Sequence, residues 1–212
     1  MQRIIILMCL VLALSGCEKV VDSGSLQDRG GIKYLPNTET PFAGKVEDYY
    51  ESNGQMKNEL TYRNGKREGL CQRWYENGQL KSEATYKNGE LDGLGRNWHE
   101  NGQLQVEAIL KNGELDGLNR GWYENGQLKF EITWKDGKED GLGRDWYENG
   151  QMDVETTYKN GKEDGLGRNW YKNGQLENEF TYKDDELDGL WRNWDENGQL
   201  KFEDTYKDGV KQ

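Results

Sequence analysis

Residues 122–145 read WYENGQLKFEITWKDGKEDGLGRD and contain two pairs that favour reverse turns, Asn125-Gly126 and Asp136-Gly137. The residues around the pairs alternate between apolar or aromatic and polar types, which is typical of β-strands. Asn-Gly and Asp-Gly pairs between such runs are strong hairpin signals, because Asn and Gly tolerate the positive φ angles of a type I′ turn. The stretch therefore predicts a strand, a tight two-residue turn, a second strand and a looser second turn.

The Asn-Gly-Gln triplet of this stretch recurs along the chain with a constant step of 24 residues. Its seven copies begin at residues 53, 77, 101, 125, 149, 173 and 197. Such a period indicates stacked supersecondary units, and a single hairpin is too weak to stand without its neighbours. In the sixth copy, Asp184-Asp185 replaces the Asn-Gly or Asp-Gly pair of the second turn. We expect an all-β fold, in which residues 32–212 form an elongated single-layer array of about seven 24-residue β-hairpin repeats.

Charges across each predicted hairpin agree on one register. A two-residue turn at Asn101-Gly102 places Arg96 opposite Glu107, and it also pairs Trp98 with Gln105 and His99 with Leu104. The copy before has Gln72 opposite Glu83. Four later copies repeat the opposed charges: Arg120–Glu131, Arg144–Glu155, Arg168–Glu179 and Arg192–Glu203. Alternation then predicts one face with Leu94, Arg96 and Trp98. The other face should carry apolar residues against glycines that leave room for rings: Leu104, Val106, Ala108 and Leu110, with Gly93, Gly95 and Gly117.

The composition limits the classes of function. The chain has 212 residues and a net charge of −11, which argues against a nucleic-acid partner because such proteins need a basic surface. One histidine and three cysteines leave little material for a metal site or a disulfide framework. His99 and Cys71 lie about one repeat apart and form no nucleophile–base set. We expect a noncatalytic protein without cofactor or metal, in which His99 replaces a Tyr of sibling copies and Cys71 is a small filler.

The N-terminus has the pattern of a secretion signal. Arg3 precedes an apolar run over residues 4–14, which is too short to span a membrane and typical of a signal peptide. The run ends in Leu14-Ser15-Gly16-Cys17, which resembles the lipobox of bacterial lipoproteins, so residues 1–16 are expected to be removed and Cys17 lipidated. An ordinary secretory signal with a chance cysteine is the alternative. Residues 17–31 are predicted to be a lipid-anchored polar tether.

Two repeated columns have both structural and functional interpretations. Acidic residues precede Gly-Leu in six copies: Glu68, Asp92, Asp116, Asp140, Asp164 and Asp188. They either form the turns or make up a row of calcium ligands, and we favour a role in the turns. A tryptophan precedes each later Asn-Gly-Gln turn and either supplies burial or forms a binding ladder: Trp74, Trp98, Trp122, Trp146, Trp170 and Trp194. The tryptophans are the candidate binding residues.

The Trp-Tyr-Glu-Asn-Gly-Gln-Leu and Tyr-Lys-Asn-Gly-x-x-Asp-Gly-Leu blocks resemble the MORN family, and in particular its bacterial variant in YwqK-family antitoxin-like proteins. The resemblance covers about residues 42–212, and it implies a repeat fold and an antitoxin-like role. It also implies that residues 34–46 form a half-repeat with which the array begins. The first copy carries one more residue before its Asn-Gly pair, so its turn should be wider.

Three functions remain open at this point. The chain is a protein-interaction scaffold in the bacterial cell envelope, a glycan or cell-wall binding module that uses the aromatic columns, or an antitoxin-type immunity protein. In the first and third cases the partner is a protein of unknown identity, and the acidic charge favours a basic one. The lipid anchor would hold the protein to the membrane, which is the outer membrane if the host is Gram-negative.

Overall fold

The computed structural model of the protein describes residues 18–212; the predicted signal peptide and Cys17 lie outside the described residues. The described part consists of strands, with one 3-10 helix at Ser23–Ser25. The strands are β1 (Val20–Val21), β2 (Gln27–Arg29), β3 (Ile32–Tyr34), β4 (Gly44–Tyr49), β5 (Met56–Arg63), β6 (Lys66–Arg67), β7 (Gly69–Trp74), β8 (Leu80–Lys87), β9 (Glu90–Trp98), β10 (Leu104–Lys111), β11 (Glu114–Trp122), β12 (Leu128–Lys135), β13 (Lys138–Trp146), β14 (Met152–Lys159), β15 (Lys162–Trp170), β16 (Leu176–Lys183), β17 (Glu186–Leu187), β18 (Gly189–Trp194), β19 (Leu200–Lys207) and β20 (Val210–Lys211). In residues 18–212 no helix is long and apolar enough to cross a membrane.

From β4 to β20 the strands form one elongated antiparallel sheet in chain order. Seven hairpins turn at the seven Asn-Gly-Gln triplets, which confirms the predicted fold class. The first turn is wider than the second, as expected: the Tyr50 N–H donates to Gln55 across five positions, whereas Tyr75 donates to Gln79 across four.

The two turn types are exchanged relative to the prediction. At Asn101-Gly102 only the glycine has a positive φ, of 86°, and the His99 N–H donates to the Gln103 carbonyl. The loop is therefore longer than a two-residue turn. At Asn88-Gly89 both residues have positive φ, 53° and 91°, and Lys87 pairs directly with Glu90. The tight type I′ turns are thus the second turns of the repeat.

The longer first turn changes the register beside it. Arg96 lies opposite Glu107 as predicted, and the corresponding pairs of the later repeats are also confirmed. Trp98, however, lies opposite Leu104, because a bulge at Gln105 takes up one residue. The predicted Trp98–Gln105 pair is wrong. Directly opposed residues project to the same face of a sheet, so Leu104 shares the face of Trp98 and Arg96.

On the face opposite the Arg–Glu pairs, aromatic rings pack over glycines. This is the type of packing that was predicted, although not all of the predicted glycines take part. A Cβ on Gly143 would lie 2.9 Å from the Tyr158 ring, and one on Gly121 would overlap the Phe130 ring. Gly95 fits the prediction, with Leu110 3.4 Å from its Cβ position. Gly93 and Gly117 do not, because their φ angles of 123° and 135° belong to bulges that lie against Thr85 and Ile109.

The predicted tether is partly folded onto the array. Strand β1 pairs in parallel with β4, and β2 pairs with β3. Val21 and Leu26 pack against a small core at this end of the sheet, which explains why the polar segment does not run free. The buried residues of this core are Phe42, Val46, Leu60, Tyr62 and Cys71. Residues 20–29 thus differ from the prediction, and Cys71 is the buried small side chain that the sequence indicated.

Candidate functional site

Each Asn-Gly-Gln turn is bonded to the turn of the next repeat. The Asn101 side chain donates from Nδ2 to the Glu124 carbonyl at 3.1 Å, and its Oδ1 accepts the Gln103 N–H at 2.9 Å. Six such bonds join the seven successive turns, from Asn53–Glu76 to Asn173–Glu196. The asparagine is therefore required by stacking between repeats.

The glycine and glutamine of the triplet fit each other across repeats. A Cβ on Gly102 would lie 2.9 Å from Oε1 of Gln79, and a Cβ on Gly174 would lie 2.7 Å from Oε1 of Gln151. The glutamine side chain of one repeat therefore lies over the glycine of the next. All three residues of the most regular motif in the chain are accounted for by contacts between neighbours.

A tyrosine before five of the seven turns forms a further hydrogen bond between repeats. Tyr123 donates from Oη to the Trp146 carbonyl at 2.7 Å, and Tyr147 donates to the Trp170 carbonyl at 2.8 Å. Burial, followed by the effect of the nearby Asp153 carboxylate, raises the pKa of Tyr147 to about 12. His99 occupies the equivalent position, with Nε2 3.4 Å from the Trp122 carbonyl. The interpretation of His99 as an aromatic replacement is confirmed.

One face of the sheet carries a ladder of alternating charges. Arg144 Nε lies 2.9 Å from Glu155, and Arg168 bridges Glu155 and Glu179 at 3.7 and 2.9 Å. Such partly exposed pairs each contribute little, but their regular placement fixes the register. The Trp column lies on this face, opposite the Leu or Met that begins each return strand.

The matches to known families agree with this geometry. The MORN repeat variant family matches six segments that together make up more than half of the chain: residues 67–88, 91–112, 115–136, 139–160, 163–184 and 187–208. The chain belongs to the MORN repeat variant family. The comparison with curated proteins found no match. In this MORN array the structure adds a seventh hairpin, β4–β5, that precedes the six matched segments.

The six nominated tryptophans of the MORN array are all half-buried. The carbonyl group of each tryptophan accepts a hydrogen bond from the preceding repeat. The donor is His99 at Trp122 and a tyrosine at the five other positions: Trp74, Trp98, Trp146, Trp170 and Trp194. These bonds use the main chain of each tryptophan, while its half-buried side chain lies opposite the Leu or Met of the return strand. The role of the column in binding stays a prediction.

The acidic column also serves the stacking of MORN repeats. The Asn88 N–H donates to Glu68 at 2.8 Å, and the Asn160 N–H donates to Asp140 at 3.2 Å. These carboxylates thus cap the tight turn of the next repeat, whereas the sequence indicated a bond to their own turn. Within residues 18–212 no group of three or more His, Cys, Asp or Glu side chains is arranged to hold a metal ion.

The opposite face of the MORN array differs from repeat to repeat, and cavities lie near its N-terminal end and in its middle. One, of about 250 Å³, lies near the N-terminal end and is lined by Arg67, Cys71, Tyr86 and Leu110 among others. The second, of about 340 Å³, lies in the middle of the sheet between β11 and β14. Residues that vary between repeats line both cavities, and ladder residues such as Arg96 and Arg144 border them as well. This variable face is the better candidate for specific recognition.

The central cavity contains residues that sequence reasoning missed. Trp134, Glu139, Tyr158 and Asn119 line it, and Asp145 lies exposed at its edge. The available signal was a break in one column: Glu139 and Glu163 stand where Leu91, Leu115 and Leu187 stand in other repeats. Only the register shows that the column faces aromatic residues, with Glu139 opposite Trp134 and Glu163 opposite Tyr158.

Proposed function

We propose that the protein is a noncatalytic scaffold that binds a protein partner along the repeated sheet, held in the bacterial cell envelope by a lipid on Cys17. The observation that supports this most directly is that the regularly repeated residues serve stacking between repeats, while a different face of the sheet varies. The triplets, the Tyr hydroxyls and the Arg–Glu pairs serve contacts between repeats. This leaves a long open face on which side chains vary, and repeat arrays use such extended surfaces for binding.

An antitoxin or immunity role is the specific form of this function that we favour. A lipid-anchored array with a net charge of −11 is suited to hold a basic effector at the membrane, and its field would speed the encounter. The neighbouring gene product is the first partner to test. Glycan binding has less support, because all six tryptophans are only half-exposed and sugar stacking needs open ring faces.

The scaffold proposal predicts that affinity depends on the number of repeats. Deleting residues 92–115 together with 164–187 removes two whole repeats, joins like positions and retains the central cavity. Because contacts add through effective concentration, we expect this shortened array to bind the partner at least about tenfold more weakly, and both forms to weaken as salt rises. Calorimetric titration at low and high salt measures both effects.

Circular dichroism is the control for this comparison, since the shortened array must retain its β spectrum. Equal affinity of the two arrays would contradict distributed binding. Retention of the protein on purified peptidoglycan, lost in the Trp146→Ala variant, would instead favour the glycan-binding alternative.

The anchor is tested separately by Cys17→Ser. We expect this variant to leave the membrane fraction, because the acyl chains of a lipoprotein provide its hold on the bilayer. Fractionation followed by mass spectrometry of the N-terminus measures both location and lipid. An unmodified Cys17 in wild-type protein from the membrane fraction would show that the anchor is something else.

A further inference from the structure

The central cavity on the variable face contains an acidic group whose charge is not balanced. Glu139 is half-buried, and burial alone raises the pKa of its carboxyl group. Glu163, one repeat further on, has a pKa raised by burial and then by the negative charges of Asp185 and Glu139. Arg144 also borders the cavity, but its side chain lies on the opposite face of the sheet, where it pairs with Glu155. The cavity therefore presents negative charge to whatever enters it.

Two polar atoms around the same cavity are covered and unpaired. Within residues 18–212, the Asn119 Oδ1 acceptor and the Trp134 Nε1 donor have no hydrogen-bond partner. Covering polar atoms without partners costs stability, so a ligand that draws the two side chains toward the cavity and pairs with them recovers that cost. The missing partners are one donor for Asn119 and one acceptor for Trp134.

Part of the cavity wall consists of aromatic and aliphatic side chains. Tyr158 lies on Gly143, where a Cβ would lie 2.9 Å from its ring, and Ile132 lies 3.3 Å from the same position. Trp134 is directly opposite Glu139 across the strands. An aromatic ring beside a carboxylate favours a planar cation, since the cation stacks on the ring and donates to the carboxylate at once.

We propose that this cavity, lined by Asn119, Trp134, Glu139 and Tyr158, binds an arginine side chain of a partner polypeptide. The guanidinium group supplies several donors, which satisfy Glu139 and the Asn119 acceptor together. The main-chain carbonyl of the same peptide supplies the acceptor for the Trp134 indole, which a free cation could not. The inference rests on the proposed function, because it names the part of the basic partner that the scaffold recognises.

The site is tested with N-acetyl-arginine methylamide as probe and the full chain as receptor. The readout is the nitrogen–proton NMR signal of the Trp134 indole, assigned with Trp134→Phe. We expect this signal to move and saturate in the millimolar range. N-acetyl-citrulline methylamide has almost the same shape without the charge, and it should bind about tenfold more weakly or not at all.

Two variants with the same change of charge distinguish binding in the cavity from a general attraction to the negative charge of the chain. Glu139→Leu installs the residue of the sibling repeats, so the fold should persist, and binding should fall about tenfold or more. Glu114→Leu changes an exposed position outside the cavity and should bind like the wild type. Unchanged indole signals of the other tryptophans confirm that Glu139→Leu is folded.

Several results would overturn the arginine site. These are equal binding of the citrulline probe, equal binding by Glu139→Leu, and parallel unsaturated movement of all indole signals. A stronger response to N-acetylglucosamine would assign the cavity to glycan. The scaffold proposal fails independently: it is refuted if the shortened array binds the partner as well as the full array does, whether or not the arginine probe saturates.

Discussion

At the residue scale, Asp185 is the most unusual position in the array. It has a φ of 72° at the second position of a tight turn, where the six sibling turns have glycine. Left-handed backbone is unfavourable for residues with a Cβ, although Asp tolerates it better than most because its side chain can bond locally. Here the carboxylate accepts the Glu163 N–H at 2.8 Å, one repeat earlier in the chain. The strained residue thus has a compensating bond between repeats.

We predict different outcomes for two small substitutions at this position. Asp185→Ala keeps the strain and loses the hydrogen bond, so the free energy of unfolding should fall by about 1–2 kcal/mol. Asp185→Gly loses the same bond but removes the strain, so the free energy should change by less than about 0.5 kcal/mol. Urea unfolding followed by tryptophan fluorescence measures both. If the alanine and glycine variants were equally stable, the turn would not be strained.

At the element scale, hairpins are joined by bonds that repeat every 24 residues, and His99 forms the weakest of them. We predict that His99→Tyr raises the free energy of unfolding by about 0.5–1 kcal/mol, because a tyrosine hydroxyl reaches the next carbonyl at 2.7–2.9 Å in five sibling repeats. His99→Phe is the matched control, since it places a ring there without the hydroxyl. Thermal unfolding should order the variants Tyr, then His, then Phe; a Phe variant as stable as the Tyr variant would show that the ring alone matters.

The same scale shows what the sequence could predict. The Arg96–Glu107 register was predictable because opposite charges recur at one spacing. The turn types were not, because Asn-Gly occurs in both turns and the longer loop is decided by stacking on a turn 24 residues away. The folded segment at residues 20–29 depends on a core assembled from distant strands. The acidic cavity was missed because Glu139 has meaning only beside Trp134, which the register reveals.

At the scale of the whole molecule, stability is expected to depend on pH through the buried acids of the variable face. Glu139 and Glu163 have pKa values raised by burial, so the folded state holds their protons more tightly than the unfolded state does. Their contribution is therefore full below the unfolded pKa and is lost as pH rises through the folded pKa. At neutral pH, the half-burial of these two carboxylates therefore lowers the free energy of unfolding of the array.

The double variant Glu139→Leu/Glu163→Leu tests this cost. Both positions regain the leucine of sibling repeats, so we expect the free energy of unfolding at pH 7 to rise by about 0.5–2 kcal/mol, with a smaller difference from wild type at pH 4. Chemical unfolding at the two pH values measures the change. A difference that does not vary with pH would mean that burial of these carboxylates is not the cause.

The bonds between neighbouring turns also have a consequence for how such a gene changes. Each unit carries, within its own 24 codons, both the groups that it offers to the following unit and the groups that receive the preceding one. An in-frame duplication between two tandem copies therefore inserts a segment that already fits both of its new flanks, and an in-frame loss leaves two flanks that already fit each other. The length of the protein can drift between generations by recombination alone, while point substitutions on the variable face alter what each inherited length can recognise.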